Sequence, residues 1–327
     1  MTEQDRPLVS FALLAYNQER FIREAVEGAL AQTYSPLQVI LSDDCSTDRT
    51  FEVMQQMALT YAGPHTIQLN RNERNLGLAY HINHVMQISE GQLIVVAAGD
   101  DFSLPQRVEA LVKEWRKRNF SSGSIYSSAI IIDDLGRTIP TVGGKDSSCI
   151  RLSDRNSEIF SGVYGCSHAW TRDVATIFGA YDERILQEDL IIPLRSCLLG
   201  SICFISEPLV KYRIHRGTIS RISYLSYRDR LMKMRRYWIA RLAVFEQFER
   251  DVDHAAQLTM LSADDETWLR LAMSPHRYYA QCHVDFFRST LLGKFRTIFG
   301  SLGRVPVIQS AKWLVIATAP WLYGARK

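Results

Sequence analysis

Residues 9–32 read VSFALLAYNQERFIREAVEGALAQ, and this stretch decides the fold. Its first six residues form a largely apolar run of strand length, and a polar loop follows. Apolar residues then recur every three or four positions, which is the spacing of an amphipathic helix. The recurring positions are Phe21, Ile22, Ala25, Val26 and Leu30. The stretch therefore predicts a strand, a loop and a helix.

The same unit repeats along the N-terminal part of the chain. Strands are predicted at 37–41, 66–69 and 93–97, and helices at 50–61, 78–88 and 104–118. Strands that alternate with helices in this way predict an α/β fold with a mainly parallel, doubly wound sheet flanked by helices. In such sheets, ligands bind beyond the carboxyl ends of the strands.

The composition is that of a globular protein, since 46% of the 327 residues are hydrophobic and 22% are charged. The net charge of +3 is too small to predict a nucleic-acid partner. The N-terminus is acidic where a signal peptide would be basic, and no apolar run reaches about 18 residues, so we expect neither export nor a membrane-spanning helix. The cysteines lack zinc spacing, and we expect reduced thiols in a cytosolic protein at Cys45, Cys149, Cys166, Cys197, Cys203 and Cys282.

Four polar clusters follow the predicted strands. They are AYNQE at 15–19, SDDCS at 42–46, RNLG at 74–77 and AGDD at 98–101. Because the carboxyl ends of parallel strands meet at one edge of a sheet, we expect these clusters to form a single site.

The sharpest feature of that site is the pair Asp100 and Asp101, which follows a predicted strand and Gly99 directly. Two adjacent carboxylates repel each other, and a divalent cation that bridges them to a diphosphate would explain the pair. Alternatively, one Asp caps the next helix and the other is solvated.

A second acidic pair, Asp43 and Asp44, lies at the end of the second predicted strand. A carboxylate at this position can accept hydrogen bonds from a ribose hydroxyl or from a uracil-type base. The first loop offers the same base a small residue, an aromatic ring and an amide, in Ala15, Tyr16 and Asn17. A helix-capping loop is the alternative interpretation of the acidic pair.

Two further groups complete the candidate site. Glu188 and Asp189 lie in a short polar break before an apolar helix, where either a catalytic base or a carboxylate stabilised by the helix dipole would fit. We expect Asp189 to be the base. Arg213 and His215 end a predicted hairpin over residues 201–215, and they can hold a diphosphate or complete a metal shell. A solvated surface histidine is the alternative.

Six segments, taken in order, resemble the family 2 glycosyltransferases, which have the glycosyltransferase-A fold. The segments are LLAYNQERFI, SDDCSTDRT, NLG, AAGDD, LQEDL and YRIHRGTIS, and the likeness spans about residues 9–220. The resemblance implies that Asp44 binds the base and that Asp100 and Asp101 serve the metal and the diphosphate. It also implies that the catalytic residues are Asp189 and Glu188, with Asp189 taking the proton of the acceptor. The residues expected near the donor are Ala15, Tyr16, Asn17, Glu19, Asp44, Asn75, Gly77, Asn83, Asp100, Arg213 and His215.

The sequence departs from the family pattern in two places. The acidic motif usually begins one residue earlier with another Asp, and Ala98 stands there instead. We therefore expect Asp101 to be the principal metal ligand, supported by Asp100 and His215, with Asp100 also contacting the sugar or ribose. Cys45 stands where Gly is commoner, which indicates a slightly different loop.

The acceptor side is predicted from GCSHAW at 165–170, where His168 and Trp170 either contact a sugar ring or pack in the core. We expect residues 1–222 to form the catalytic domain. Its nucleotide-binding half extends to about residue 120, and its acceptor half follows. Residues 223–327 are predicted to form a helical C-terminal extension.

The end of this extension, residues 283–327, is basic and amphipathic, with seven Lys and Arg against the single acid Asp285. Such a segment can lie in a membrane interface, and we expect peripheral contact with the cytoplasmic leaflet. Packing on the catalytic domain or on a dimer partner is the alternative, because the same periodicity serves both.

Together these features predict a metal-dependent, inverting glycosyltransferase that uses Mn²⁺ or Mg²⁺ and a UDP- or dTDP-sugar. The expected acceptor is a lipid-linked saccharide in surface-polysaccharide assembly at the inner face of the cell membrane. Nucleotidyl transfer would need a glycine-rich basic loop after the first strand, and neither that loop nor a dinucleotide or P-loop motif is present there. The remaining alternative is a non-catalytic protein that keeps the fold and binds a sugar nucleotide or polysaccharide.

Overall fold

The computed structural model describes residues 6–121, 123–140, 146–160, 163, 165–186, 188–215 and 227–289. Within these residues, nine strands form one sheet. The strands are β1 (Val9–Ala15), β2 (Leu37–Asp43), β3 (Thr66–Arg71), β4 (Leu93–Ala98), β5 (Phe102–Ser103), β6 (Ser124–Ile132), β7 (Ser148–Arg151), β8 (His168–Thr171) and β9 (Ser201–Arg213). The helices are α1 (Ile22–Leu30), α2 (Thr50–Leu59), α3 (Leu78–Ile88), α4 (Arg107–Lys117), α5 (Asp173–Thr176), α6 (Ile192–Leu199), α7 (Tyr227–Gln257) and α8 (Ala263–Arg288).

The order of strands along the sheet is β3-β2-β1-β4-β8-β6-β9-β5, and β7 pairs with β9. The first four strands in this order are parallel, as expected. Beyond them the sheet is mixed, because β8 runs antiparallel to both β4 and β6, whereas β6 and β9 are parallel. The mainly parallel sheet predicted from the sequence is therefore confined to the N-terminal half.

The hairpin predicted over residues 201–215 is wrong, because β9 is one strand of 13 residues. Its pairing with β6 shifts register around Ser128, which faces Pro208. Proline has no N–H to give to the sheet, and an irregularity of the ladder accommodates it without a turn. The end of β9 is thereby carried to the same edge of the sheet as the ends of β1, β2 and β4.

Both faces of the parallel half are covered, so β1, β2 and β4 are buried along almost their whole length. Phe11 and Leu13 share one buried cluster with residues of α1 and α4. Ala12 and Leu14 point to the opposite face and share a second cluster with residues of α3 and α6. This packing makes the carboxyl edge of these strands a rigid platform for the loops that follow.

Helices α7 and α8 share the second of these clusters. Phe245, Phe248 and Leu269 belong to the same buried cluster as Trp170 of β8 and Ile192 of α6. The described part of the helical extension is therefore continuous with the core of the sheet. The domain boundary expected near residue 223 lies outside the described residues.

Two of the six cysteines form a disulfide, which corrects the expectation of six reduced thiols. Cys149 in β7 and Cys203 in β9 face each other directly in the antiparallel ladder, with their Cα atoms 4.1 Å apart. Adjacent strands bring opposite residues this close. The other four cysteines are not bonded to one another.

Among the described residues, none of the helices combines the length and the apolar character needed to cross a bilayer. The basic segment expected to lie on a membrane begins inside α8, and its residues from 290 onward lie outside the described part of the chain. Its membrane contact therefore stays a prediction.

Candidate active site

The loops that follow β1 and β2 are bonded to each other through side chains. Asn17 has a positive φ of 51° and donates its N–H to Ser46 Oγ at 2.8 Å, while its Oδ1 accepts from the N–H of Thr47 at 2.8 Å. Glu19 Oε2 accepts from the N–H of Arg49 at 3.1 Å. Asn17 and Glu19, both expected near the donor, thus hold the loops after β1 and β2 together.

Tyr16 and Gly99 lie in the loops that follow β1 and β4. The Tyr16 ring is 45% exposed, which suits the stacking role predicted for it. A Cβ on Gly99 would lie 2.4 Å from Gln18 Oε1 and 2.9 Å from the Cβ of Ala15. Only glycine therefore allows the turn after β4 to approach the first loop, and the small side chain of Ala15 contributes to the same fit.

Asp44 organises the loop after β3. Its Oδ1 accepts from Asn72 Nδ2 and from the N–H of Leu76, both at 2.8 Å, and its Oδ2 accepts from the N–H of Gly77 at 2.9 Å. The carboxylate is only 3% exposed. Gly77 has a positive φ of 78°, a conformation that favours glycine. Asp44 therefore positions the loop after β3, and its contact with the nucleotide base stays a prediction.

The other two candidates near this loop differ from each other. Asn75 is exposed at the rim of the loop, where a donor contact remains a prediction. Asn83 is bonded reciprocally to the backbone of Tyr181, donating at 3.1 Å and accepting at 2.9 Å. Its amide is occupied in tying α3 to residue 181, so we correct its predicted role from donor binding to a structural one.

Arg213 fastens the turn that carries the two acidic residues after β4. Its backbone N–H donates to Asp101 Oδ1 at 2.8 Å, and its Nε donates to the carbonyl of Asp100 at 2.9 Å. Its Nη2 pairs with Glu24 Oε2 at 2.6 Å. Because the side chain is 2% exposed and bonded in this way, we correct its predicted role from donor binding to positioning.

Asp101 is buried and has one carboxylate oxygen without a partner. Oδ1 accepts from Arg213, whereas Oδ2 has no hydrogen bond. Burial, together with the neighbouring charge of Asp100, raises the pKa of Asp101 to about 8. The thiol of Cys166 and the guanidinium of Arg107 act in the opposite direction. An unpaired buried carboxylate oxygen is the feature that a bound cation would explain.

Asp100 is more accessible and contacts His215. The distance between Asp100 Oδ2 and His215 Nε2 is 2.9 Å, and both side chains are largely buried. The described residues contain no preformed cluster of three or more His, Cys, Asp or Glu side chains that could hold a metal ion. Mg²⁺ sites often use one or two carboxylates together with substrate phosphates. Asp101 and Asp100 fit a cation of that kind, and His215 lies where it can join them.

Glu188 and Asp189 occupy a short 3-10 turn that precedes α6. Asp189 Oδ1 is buried without a hydrogen-bond partner. Burial and the charge of Glu188 raise the pKa of Asp189 to about 8, while Arg241 lowers it. Burial also raises the pKa of Glu188. A carboxylate in such surroundings has the proton affinity that a general base needs near neutral pH.

The turn at Gly165–Ser167 brings the two acidic sites together. A Cβ on Gly165 would lie 2.8 Å from Glu188 Oε1 and 3.7 Å from Asp189 Oδ2. The thiol of the next residue, Cys166, acts on the carboxylate of Asp101 and favours its ionised form, which lowers its pKa. Two consecutive residues therefore lie near the predicted base and near the predicted metal carboxylate.

The acceptor contacts predicted for His168 and Trp170 are wrong. Both side chains are 0% exposed in β8. Trp170 donates its Nε1 hydrogen to Met86 Sδ at 3.1 Å, and His168 packs edge-on against Tyr126 and Trp170. Burial lowers the pKa of His168 to about 3, so the ring is neutral. Core packing, the alternative considered from the sequence, describes both residues.

Arg107 is a residue of the site that the sequence reading did not identify. Its guanidinium is fully buried behind Asp101 and donates to Ser103 Oγ at 2.8 Å and to the carbonyl of Val96 at 2.7 Å. The sequence does contain a signal for this residue. Arg107 lies on the same face of α4 as Val108, Leu111 and Trp115, which are all buried. A charged residue within an apolar stripe indicates a buried partner.

Comparison with known proteins identifies the family of the N-terminal half. The model of "Glycosyl transferase family 2" matches residues 10–168. The "Putative glycosyltransferase EpsE" of Bacillus subtilis is 34% identical over 140 residues, which are 42% of this chain and 49% of that protein. The chain thus spans about half the length of this relative.

Solved structures share the fold over nearly the whole chain. TarS of S. aureus, in complex with UDP-GlcNAc, has a TM-score of 0.58 at 14% identity and covers 94% of this chain and 88% of that one. The mannosyltransferase PcManGT of Pyrobaculum calidifontis, in complex with GDP-Man and Mn²⁺, has a TM-score of 0.54 at 16% identity and covers 99% and 89%. These likenesses confirm the fold class expected from the sequence.

Proposed function

Because residues 10–168 belong to glycosyl transferase family 2 and the chain has the glycosyltransferase-A fold, we propose that it transfers a sugar from a nucleoside diphosphate to an acceptor hydroxyl with inversion at the anomeric carbon. One observation supports this above all. A buried carboxylate suited to a cation, Asp101, and a buried carboxylate suited to a base, Asp189, lie near the consecutive residues Cys166 and Gly165.

In the proposed reaction the first loops bind the donor. The exposed ring of Tyr16 stacks on the base, and the loop held by Asp44 borders the ribose. A divalent cation held by Asp101 and Asp100 would neutralise the charge of the leaving diphosphate. Arg213 keeps both carboxylates in place through its bonds to this turn.

Asp189 acts on the other reactant. It takes the proton of the acceptor hydroxyl as the oxygen attacks the anomeric carbon from the face opposite the diphosphate. The bond between that carbon and the diphosphate oxygen breaks, and the diphosphate leaves with the electron pair. One carboxylate is sufficient for this step, since a single displacement inverts the centre.

The donor and acceptor are proposed as classes. The similar proteins TarS and PcManGT were solved with UDP-GlcNAc and with GDP-Man and Mn²⁺, and the pattern of this chain favours a UDP- or dTDP-sugar with Mn²⁺ or Mg²⁺. We propose a lipid-linked saccharide of surface-polysaccharide assembly as the acceptor. The basic C-terminal segment supports this choice, since it suits the inner face of the cell membrane.

Calorimetric titration tests the donor assignment. The purified chain is titrated with UDP, dTDP, GDP and their sugars, in Mn²⁺, in Mg²⁺ and with a chelator. Metal-dependent binding of one nucleotide is the expected outcome and names the base. Binding of a donor without turnover on any acceptor, water included, would favour the non-catalytic alternative, and no binding at all would contradict the proposal.

We expect truncation after Ser289 to remove membrane binding. Residues 290–327 contain six Lys and Arg and no acid, and each basic residue near an anionic surface contributes about 1 kcal/mol. The cut spares α8, which ends at Arg288 and packs on α7. Co-sedimentation with phosphatidylglycerol vesicles should fall by at least about tenfold, while nucleotide affinity stays unchanged. Equal recovery of both proteins on the vesicles would refute the membrane role of this segment.

A further inference from the structure

Helix α7 is bonded to the chain on both sides of Asp189. Before that residue, Arg184 Nη2 pairs with Glu246 Oε2 at 2.7 Å, and Asp182 Oδ2 pairs with Arg250 Nη2 at 3.2 Å. Asp182 and Arg184 also pair with each other at 2.6 Å. The stretch that leads into the turn of Asp189 is therefore tied to one face of α7.

After Asp189, a buried ion pair joins α6 to the same helix. Arg195 donates to both carboxylate oxygens of Asp251, from Nε at 2.7 Å and from Nη2 at 3.0 Å. The two side chains are 0% and 2% exposed. Arg195 Nη1 also donates to the carbonyl of Gly179 at 2.8 Å, and Gln247 Nε2 donates to Asp251 Oδ1 at 2.9 Å. A bidentate pair with all these partners fixes the orientation of α6, six residues beyond Asp189.

We propose that α7 positions the catalytic base: Glu246, Arg250 and Asp251 hold in place the segment that carries Asp189. The proposal rests on the proposed function, in which Asp189 is the base. It assigns positioning roles to residues of the helical extension, which lie beyond the part of the chain matched by the family model.

Donor binding and positioning of Asp189 should therefore depend on different parts of the chain. The donor site is built from the ends of β1, β2 and β4, and none of the α7 contacts named above reaches those loops. Loosening α7 should therefore slow the transfer step and leave nucleotide affinity intact. An effect confined to turnover separates positioning from a general loss of the fold.

The test uses the double variant Glu246→Gln with Arg250→Gln. It removes the partly exposed ion pairs with Arg184 and Asp182, and it leaves the buried pair of Arg195 and Asp251. Hydrogen exchange measured by mass spectrometry over residues 182–195 should become faster by about fivefold or more. Turnover of the donor, with water as the probe acceptor, should fall by about tenfold to a hundredfold, since small displacements of a reacting group are costly. Nucleotide affinity should stay within about twofold.

Glu249→Gln is the matched control, because Glu249 lies on the same helix and pairs with Arg277 of α8 at 3.0 Å with similar exposure. It should change neither the exchange of residues 182–195 nor turnover. An equal effect in this control, or unchanged exchange and turnover in the double variant, would overturn the positioning role. The exchange measurement does not depend on which residue is the base, so a failure of the proposed function and a failure of this inference are distinguishable.

Discussion

Asp189→Asn is expected to reduce sugar transfer by about a hundredfold to ten-thousandfold, the range that general-base catalysis contributes. Asparagine has the same shape and cannot accept the proton of the acceptor hydroxyl. Because Asp189 lies on the turn before α6, away from the loops after β1 and β2, nucleotide affinity should change by less than about twofold. Initial rates and calorimetric titration on the same preparation measure the two quantities.

The pH dependence of the parent protein gives an independent check on this base. Burial and Glu188 raise the pKa of Asp189 to about 8, and the base is active when deprotonated. Transfer should therefore increase as the pH rises through about 8. The Asp189→Asn variant should lose this increase, and a parental rate in the variant would show that another group takes the proton.

The direction in which Asp189→Asn changes the stability of the fold can also be predicted. A carboxyl whose pKa is raised in the folded protein stabilises the fold below its unfolded pKa near 3.8, and that contribution is lost as the pH rises through about 8. At neutral pH the variant should therefore be at least as stable as the parent protein. A lower thermal midpoint would mean that reduced transfer reflects misfolding.

Glu188→Gln is the matched comparison for the same turn. Glu188 is buried, and a Cβ on Gly165 would lie 2.8 Å from its Oε1, so little space separates this side chain from the turn at Gly165. We expect a smaller loss of transfer than in Asp189→Asn. If the order of the two effects were reversed, Glu188 would be the base.

The parallel half of the sheet could be predicted from the sequence because its signals are local. The apolar run over residues 9–14 and the helical period after it depend on neighbours in the chain, and the ends of β1, β2 and β4 agree with that reading to within about two residues. The path of β9 could not be predicted in this way. Pro208 is an ordinary turn signal, and only its pairing with β6 makes it part of a strand.

The carboxylates of the candidate site could be proposed for the same reason, since Asp100, Asp101 and Asp189 lie in short motifs. The roles of their partners depend on contacts between distant parts of the chain. Arg213 reaches Glu24, which lies 189 positions earlier, and Asp251 reaches Arg195 across 56 positions. Neither pair has a local pattern, so the sequence motif singled out Arg213 without indicating its contacts with Glu24 and with the turn after β4.

Asp101→Asn is expected to abolish the metal-dependent part of donor binding and to reduce transfer by about a hundredfold to a thousandfold, the cost of removing one main electrostatic contact. The buried Oδ2 of Asp101 has no partner of its own, and asparagine would place a neutral amide there. Its Oδ1 can still accept from the N–H of Arg213, so the turn after β4 should keep its shape. Titration of the nucleotide with Mn²⁺ and with a chelator measures the loss.

Asp100→Asn tests whether Asp100 and Asp101 have different roles in binding the metal and the donor. Asp100 contacts His215 at 2.9 Å and is more accessible than Asp101, which suits a contact with the sugar or ribose. This variant should lose part of the donor affinity in metal and in chelator alike, whereas Asp101→Asn should resemble the parent protein in chelator. The contrast is informative because the two side chains are adjacent in sequence and differ in burial. If both variants lost the same fraction of metal-dependent donor affinity, Asp100 and Asp101 would bind the cation equally. The expectation that Asp101 is the principal ligand because Ala98 replaces an Asp would then be wrong.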